Sequence, residues 1–178
     1  MFAMTPLGMV AGSIFTLLLV LAAIGDVRTR RIPNRLVVGM TVIGILYSVI
    51  VTGPLWGTLK GIEGFFAGMA FWLAFYVLGW LGAGDVKLVA AAGAWLGPRE
   101  VIEGSLIAAL LGAILAVLWM LRSQGIRRGV ETLGVAVTLP SVLTETPKSA
   151  DRIRSLPYSV PIALGALCAA WAPGLLIR

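Results

Sequence analysis

The sequence predicts an all-α, polytopic membrane protein with six transmembrane helices, forming a single membrane-embedded domain over residues 1–178. Three observations predict it. Of the residues, 59% are hydrophobic and only 12% are charged, with a mean hydropathy of +0.98, whereas soluble domains run to about 45–50% apolar. The apolar residues form long continuous blocks, without the alternating ten-residue pattern of a membrane barrel, so helices are the spanning elements. The basic residues flank those blocks, in the asymmetric manner that orients helices across a bilayer.

The expected spans are 7–25, 36–53, 62–81, 85–97, 103–121 and 158–176. No Lys or Arg precedes the first, and Arg28, Arg30 and Arg31 follow it. This reverses the charge order of a secretory signal peptide and predicts an uncleaved helix with its N-terminus outside. The second opens after Ile32-Pro33-Asn34, because proline is tolerated in a first helical turn. The third carries Gly64 and Gly68, the fourth Gly93 and Gly97, and the fifth Gly104, Ala108, Gly112 and Ala116. Such i, i+4 stripes of small residues let membrane helices approach closely. The sixth contains the single cysteine, Cys168. Between the last two spans, 122–157 mixes basic residues with Leu133, Val135, Val137, Leu139 and Val142, and is broken by Pro140, Pro147 and Pro157. It reads as a cytoplasmic loop, either an interfacial amphipathic segment or a flexible cover.

The fourth segment is short for a span of about 20 residues, and a re-entrant segment would have the same length. Charge decides between the two. If all six cross, the cytoplasmic side collects Arg28, Arg30, Arg31, Arg35, Lys87, Arg122, Arg127, Arg128, Lys148, Arg152 and Arg154. Only Lys60, Arg99 and Arg178 of the 14 basic residues stay outside. If the fourth turned back, the six basic residues of 122–157 would change sides and the positive-inside bias would vanish. A short true span with both termini outside is therefore expected. The same distribution assigns the net charge of +6 to topology and the lipid bilayer rather than to nucleic acid.

The chain has no histidine and one cysteine. This excludes Ser-His and Cys-His catalysis, His-ligated metals, a Cys-based zinc site and an internal disulfide. No metal or cofactor is expected, and acid–base work falls to Asp, Glu, Lys or Tyr. The sequence sets no oligomeric state.

Two acids stand out. Asp85 follows Gly82-Ala83-Gly84 at the mouth of the fourth span, behind two glycines expected to free the backbone. Asp26 stands at the end of the first span. Acids at membrane depth are costly and usually mark function. Each also has a plain structural reading, Asp85 as an N-cap and Asp26 as an interfacial acid paired with Arg28 or Arg30. Since helix one ends and helix four begins on the cytoplasmic side, both carboxylates lie at one level. Two close carboxyls share one proton. The ionised member takes a proton from water while the protonated one polarises a carbonyl and feeds the leaving amine. That is peptide hydrolysis without His, Cys or metal. Lys87 is expected to snorkel toward headgroups or to support the motif. Tyr158 and Pro161, opening the last span, are expected to line the site.

The run Gly82-Ala83-Gly84-Asp85-Val86-Lys87-Leu88, continuing to Ala92-Gly93-Ala94-Trp95-Leu96-Gly97, resembles the signature of the type IV prepilin peptidases. Asp26 followed by Arg30-Arg31-Ile32-Pro33-Asn34 is similar to that family's first-aspartate motif. Leu156-Pro157-Tyr158-Ser159-Val160-Pro161 resembles the family's proline-containing opening of the last helix. The resemblance spreads from about residue 20 to 165 in the family's order. It implies a membrane aspartyl endopeptidase of a bacterial or archaeal cytoplasmic membrane, with Asp26 and Asp85 catalytic. Its partners would be prepilins or pseudopilins, cut on the cytoplasmic side where a short basic leader meets an apolar helix. Larger members carry an N-terminal region with cysteine pairs linked to N-methylation. This sequence begins with its first span and has no Cys-x-x-Cys, so peptidase activity without methyl transfer is expected, as in the compact enzymes of tight-adherence (Flp-type) pilus systems. The alternatives are a small proton-coupled transporter, with both aspartates carrying protons, and a structural secretion-system subunit.

Overall fold

The computed structural model describes residues 5–29, 32–78, 81–124, 158–172 and 174; side chains 119–124 are not described. Among them are six helices: α1 (Pro6–Thr29), α2 (Asn34–Thr52), α3 (Pro54–Val77), α4 (Ala83–Leu96), α5 (Pro98–Gln124) and α6 (Ser159–Trp171). Three of these, α1, α2 and α5, are long and apolar enough to cross a membrane, which makes this a multi-pass membrane protein. The expected loop 122–157 lies, from 125 onward, outside the described residues.

α4 sits at the centre. It packs against α2, α3, α5 and α6, and Val86 and every residue from Leu88 to Leu96 are buried. A helix that is apolar all round belongs inside a bundle. Its 14 residues rise about 21 Å, short of the hydrocarbon thickness of about 30 Å, and the longer helices around it supply the lipid-facing surface. The outward faces of α1, α2 and α3 carry large apolar side chains such as Leu17, Ile50, Leu55 and Val77.

Close backbone approach holds α4 in place. Gly64 of α3 and Gly93 of α4 face each other so tightly that a Cβ on either would strike the other's carbonyl. One turn further on, a Cβ on Gly68 would lie 2.9 Å from the Val89 carbonyl oxygen. The stripe on α5 behaves likewise against α6. Gly104 and Ala108 pack on Gly165, and a Cβ on Gly112 would meet the Tyr158 ring at 3.0 Å. Between apolar helices in lipid, such dispersion contacts replace the hydrophobic effect. At the far end of α4, Trp95 stacks on Tyr47 with centroids 5.7 Å apart and meets Phe15 at 5.3 Å. Its indole N–H donates to the Met40 carbonyl at 2.7 Å, which satisfies the one polar atom on a large buried ring.

Two helices begin earlier than the hydropathy blocks imply. α3 starts at Pro54 rather than 62, and α5 at Pro98 rather than 103. The cause is a pair of Gly-Pro turns. Gly53 (φ 94°) and Gly97 (φ 91°) adopt backbone that favours glycine. Each donates its N–H to the preceding helix, Gly53 to Val49 at 2.9 Å and Gly97 to Gly93 at 2.8 Å. The proline that follows occupies a first-turn position where no N–H is needed. Lys60, Glu63, Arg99 and Glu100 thus stand inside helices. α1 extends past 25 to Thr29, α4 covers 83–96 rather than 85–97, and α5 extends to Gln124. α3 ends at Val77 rather than 81 and α6 at Trp171 rather than 176, two residues before Pro173.

Candidate active site

The site forms where the end of α1 meets the beginnings of α4 and α6. Asp26 lies in the last turn of α1 and is half-buried. Asp85 is the third residue of α4 and is likewise half-buried. Their carboxyl groups are near enough for their charges to oppose each other, and Asp85 also interacts electrostatically with Tyr158. Three of the groups singled out in the sequence are therefore brought together from three helices.

The local structure explains the posture of Asp85. The N-cap of α4 is Gly82, not Asp85, and from the third helical position the Asp85 side chain reaches back. Its Oδ2 accepts the Gly82 N–H at 3.3 Å, the carboxylate half of a capping box. The two glycines do not act by freeing the backbone. Gly82 has φ −80° and ψ 151°, open to any residue, and Gly84 lies within the helix. What they contribute is the absence of a side chain. A Cβ on Gly82 would come to 3.5 Å from Asp85 Oδ2 and 4.0 Å from the Gly84 nitrogen, and one on Gly84 would touch Ile32 at 3.6–3.7 Å. Neither glycine puts a side chain beside the carboxyl.

Asp26 is held from across the bundle. The Ser159 hydroxyl, fully buried, donates to Asp26 Oδ2 at 2.7 Å. Sequence reasoning quoted Ser159 only as part of a motif. The available signal was a hydroxyl in the first turn of the last helix, next to Tyr158. The Tyr158 ring rests on the notch at Gly112, and Pro161 is buried one turn along, against the same glycine. Lys87 is exposed, and its ammonium donates to Asn34 Oδ1 at 3.3 Å. This ties the first turn of α4 to the first turn of α2 and brackets Ile32 over Gly84. Among the described residues no group of three or more His, Cys, Asp or Glu could hold a metal.

Two carboxyl groups at one end of a helical bundle lie within electrostatic reach of each other, with a phenol within electrostatic reach of Asp85. Comparison with known proteins gives the same direction. A prepilin leader peptidase/N-methyltransferase from Pectobacterium carotovorum subsp. carotovorum is 31% identical over 122 residues, 65% of this chain and 41% of that protein. One of the same description from Dickeya chrysanthemi is 36% identical over 110 residues, 59% of this chain and 38% of that protein. The matched part thus spans about two fifths of the length of these curated relatives. No solved structure gives a significant match. The model of the type IV leader peptidase family matches residues 13–117, a stretch that holds Asp26, Asp85 and the α3–α4 glycine contact, and by that match, over more than half of its length, the chain belongs to the type IV leader peptidase family.

Proposed function

We propose that this protein is a membrane aspartyl endopeptidase that removes the short cytoplasmic leader from prepilins or pseudopilins, with Asp26 and Asp85 as its catalytic pair. One observation carries the reading: Asp26 and Asp85, from two helices far apart in sequence, stand at helix ends within electrostatic reach of each other. A proton-relay transporter favours acids at the midplane, and two independent helix caps have no need to meet.

The mechanism follows from the pair. One carboxylate takes a proton from a water lying between the two groups. The protonated partner hydrogen-bonds the scissile carbonyl, and the water oxygen attacks that carbon. The proton then passes to the leaving amine, the C–N bond breaks, and the pair regains its shared proton. Gly82 and Gly84 leave room for a substrate backbone beside Asp85, and Tyr158 borders the same space. Six spans with both termini outside place this end at the cytoplasmic face of a bacterial inner membrane, where a basic leader meets the apolar helix that follows it. The basic-residue distribution supports that orientation. We assign cleavage without N-methylation to these 178 residues, as in tight-adherence systems; they hold one cysteine and no Cys-x-x-Cys pair.

The test is incubation of the purified protein, in liposomes with S-adenosylmethionine, with a peptide comprising a Lys-rich leader, a glycine and an apolar helix. Mass spectrometry is expected to show one cut after the glycine and an unmethylated new N-terminus. An intact peptide contradicts the peptidase reading, and a product heavier by one methyl group contradicts the second part.

A further inference from the structure

We propose that Ser159 is a positioning residue that orients Asp26 and fixes it as the proton-accepting member of the pair, leaving Asp85 to carry the shared proton. The proposal rests on the peptidase reading above and deepens it.

The partner of this hydroxyl sets it apart: Ser48 also reaches another helix, but to the Ala94 carbonyl at 3.4 Å. Ser13, Thr16, Thr29, Thr41 and Thr58 each donate to the carbonyl four residues back on their own helix, at 2.6–2.9 Å. This is the ordinary local solution for a hydroxyl on an apolar helix. Ser159 is the first residue of α6, so its own helix offers it no carbonyl four residues back. It reaches instead across the bundle to Asp26, a residue 133 positions away. It is fully buried, where a hydroxyl without a partner is costly, and its partner is the carboxyl of a half-buried acid beside Asp85.

The bond has two chemical consequences. At 2.7 Å it is as short as the hydroxyl bonds to helix carbonyls elsewhere in the bundle, and with Asp26 ionised as the base it is charge-assisted. The bond engages Oδ2 of Asp26 and restrains its side chain to one orientation. Asp26 therefore presents its remaining oxygen to water, in one rotamer, as the base. The corresponding tie on Asp85 is a longer bond of 3.3 Å from a backbone N–H of its own helix start. It leaves Asp85 the better placed to hold the proton and donate it to a substrate carbonyl. The groups that interact with Asp26 from other helices are Asp85 of α4 and the Ser159 hydroxyl of α6; Arg28 is in the same turn of α1, two positions along and on a different face.

The experiment compares wild type and Ser159→Ala in steady-state cleavage of the same leader peptide across pH, with thermal unfolding of both. A charge-assisted bond contributes about 1.5–3 kcal/mol, so its loss predicts a fall in kcat of roughly 10- to 100-fold with KM within about twofold. Without the donor the pair takes up its second proton more readily, so the acid limb of the pH–rate profile moves to higher pH. A purely structural role would leave that limb in place. Cleavage by Ser159→Ala equal to wild type overturns the proposal and leaves the peptidase reading standing. A loss of rate with an unmoved acid limb, or one that follows the loss of folded protein, overturns it too. Should wild type itself leave the peptide intact, the peptidase reading falls and this proposal with it.

Discussion

Replacing Gly93 by alanine tests what holds α4, the helix that carries Asp85. A Cβ at Gly93 would lie 2.7 Å from the Gly64 carbonyl carbon and closer still to its oxygen, with the Phe65 nitrogen at 3.3 Å. All three atoms are backbone, so no rotamer change relieves the contact. Favourable carbon contacts begin near 3.5 Å, so α3 and α4 must separate by roughly 1 Å. Overpacking of this kind costs about 1–3 kcal/mol, offset by up to about 1 kcal/mol because alanine is the better helix former. Gly39 on α2 is the control, since a Cβ there meets nothing within 4 Å and Gly39→Ala keeps the propensity gain alone. Unfolding in mixed micelles of rising SDS fraction is expected to separate the two variants by about 1–3 kcal/mol, with Gly93→Ala the less stable. Leader cleavage is expected to fall with it, because a shift of about 1 Å in a catalytic group costs on the order of 100-fold. Equal midpoints for the two variants would refute the claim that backbone contact between Gly64 and Gly93 sets the position of α4.

Gly97→Ala is expected to lose about 1–3 kcal/mol in the same assay, because φ +91° with ψ 173° is a conformation almost reserved for glycine; full wild-type stability would contradict the Gly-Pro turn. Ser105→Ala is expected to be neutral or to gain up to about 1 kcal/mol, since the Ser105 hydroxyl is buried with no hydrogen-bond partner among the described residues; a loss above that size would show a partner in the folded protein. Gly84→Leu is expected to lose leader cleavage more than tenfold in the protein that still folds, because its side chain must extend past Ile32 toward Asp85, whereas Gly84→Ala touches Ile32 at ordinary contact; cleavage at the wild-type rate in the leucine variant would mean that substrate does not pass there.

Asp26 and Asp85 were legible because helix direction is arithmetic. Once the spans alternate, the end of the first and the start of the fourth share a face, and in the structure the two carboxyls lie within electrostatic reach of each other. The small-residue stripes were legible as stripes, but not which pairs with which. Gly64 on Gly93 and Gly112 under Tyr158 depend on rotations that no local pattern encodes. The early starts of α3 and α5 were written in Gly53-Pro54 and Gly97-Pro98. Hydropathy hid them, because Lys60, Arg99 and Glu100 interrupt the apolar runs that mark a helix in lipid. Ser159 was hidden for a different reason: a serine in a first turn reads as local capping, and only the assembled bundle shows its hydroxyl on Asp26. Lys87 reads as a snorkelling cation in one dimension and as a link to Asn34 in three.

The central claim is that Asp26 and Asp85 act together on a peptide bond. The most direct measurement is leader cleavage by purified wild type, Asp26→Asn and Asp85→Asn, each checked for insertion and folding, since asparagine keeps the shape of each side chain and removes its acid–base function. The account predicts that each variant alone abolishes cleavage while remaining folded. Cleavage surviving in either folded variant would contradict it.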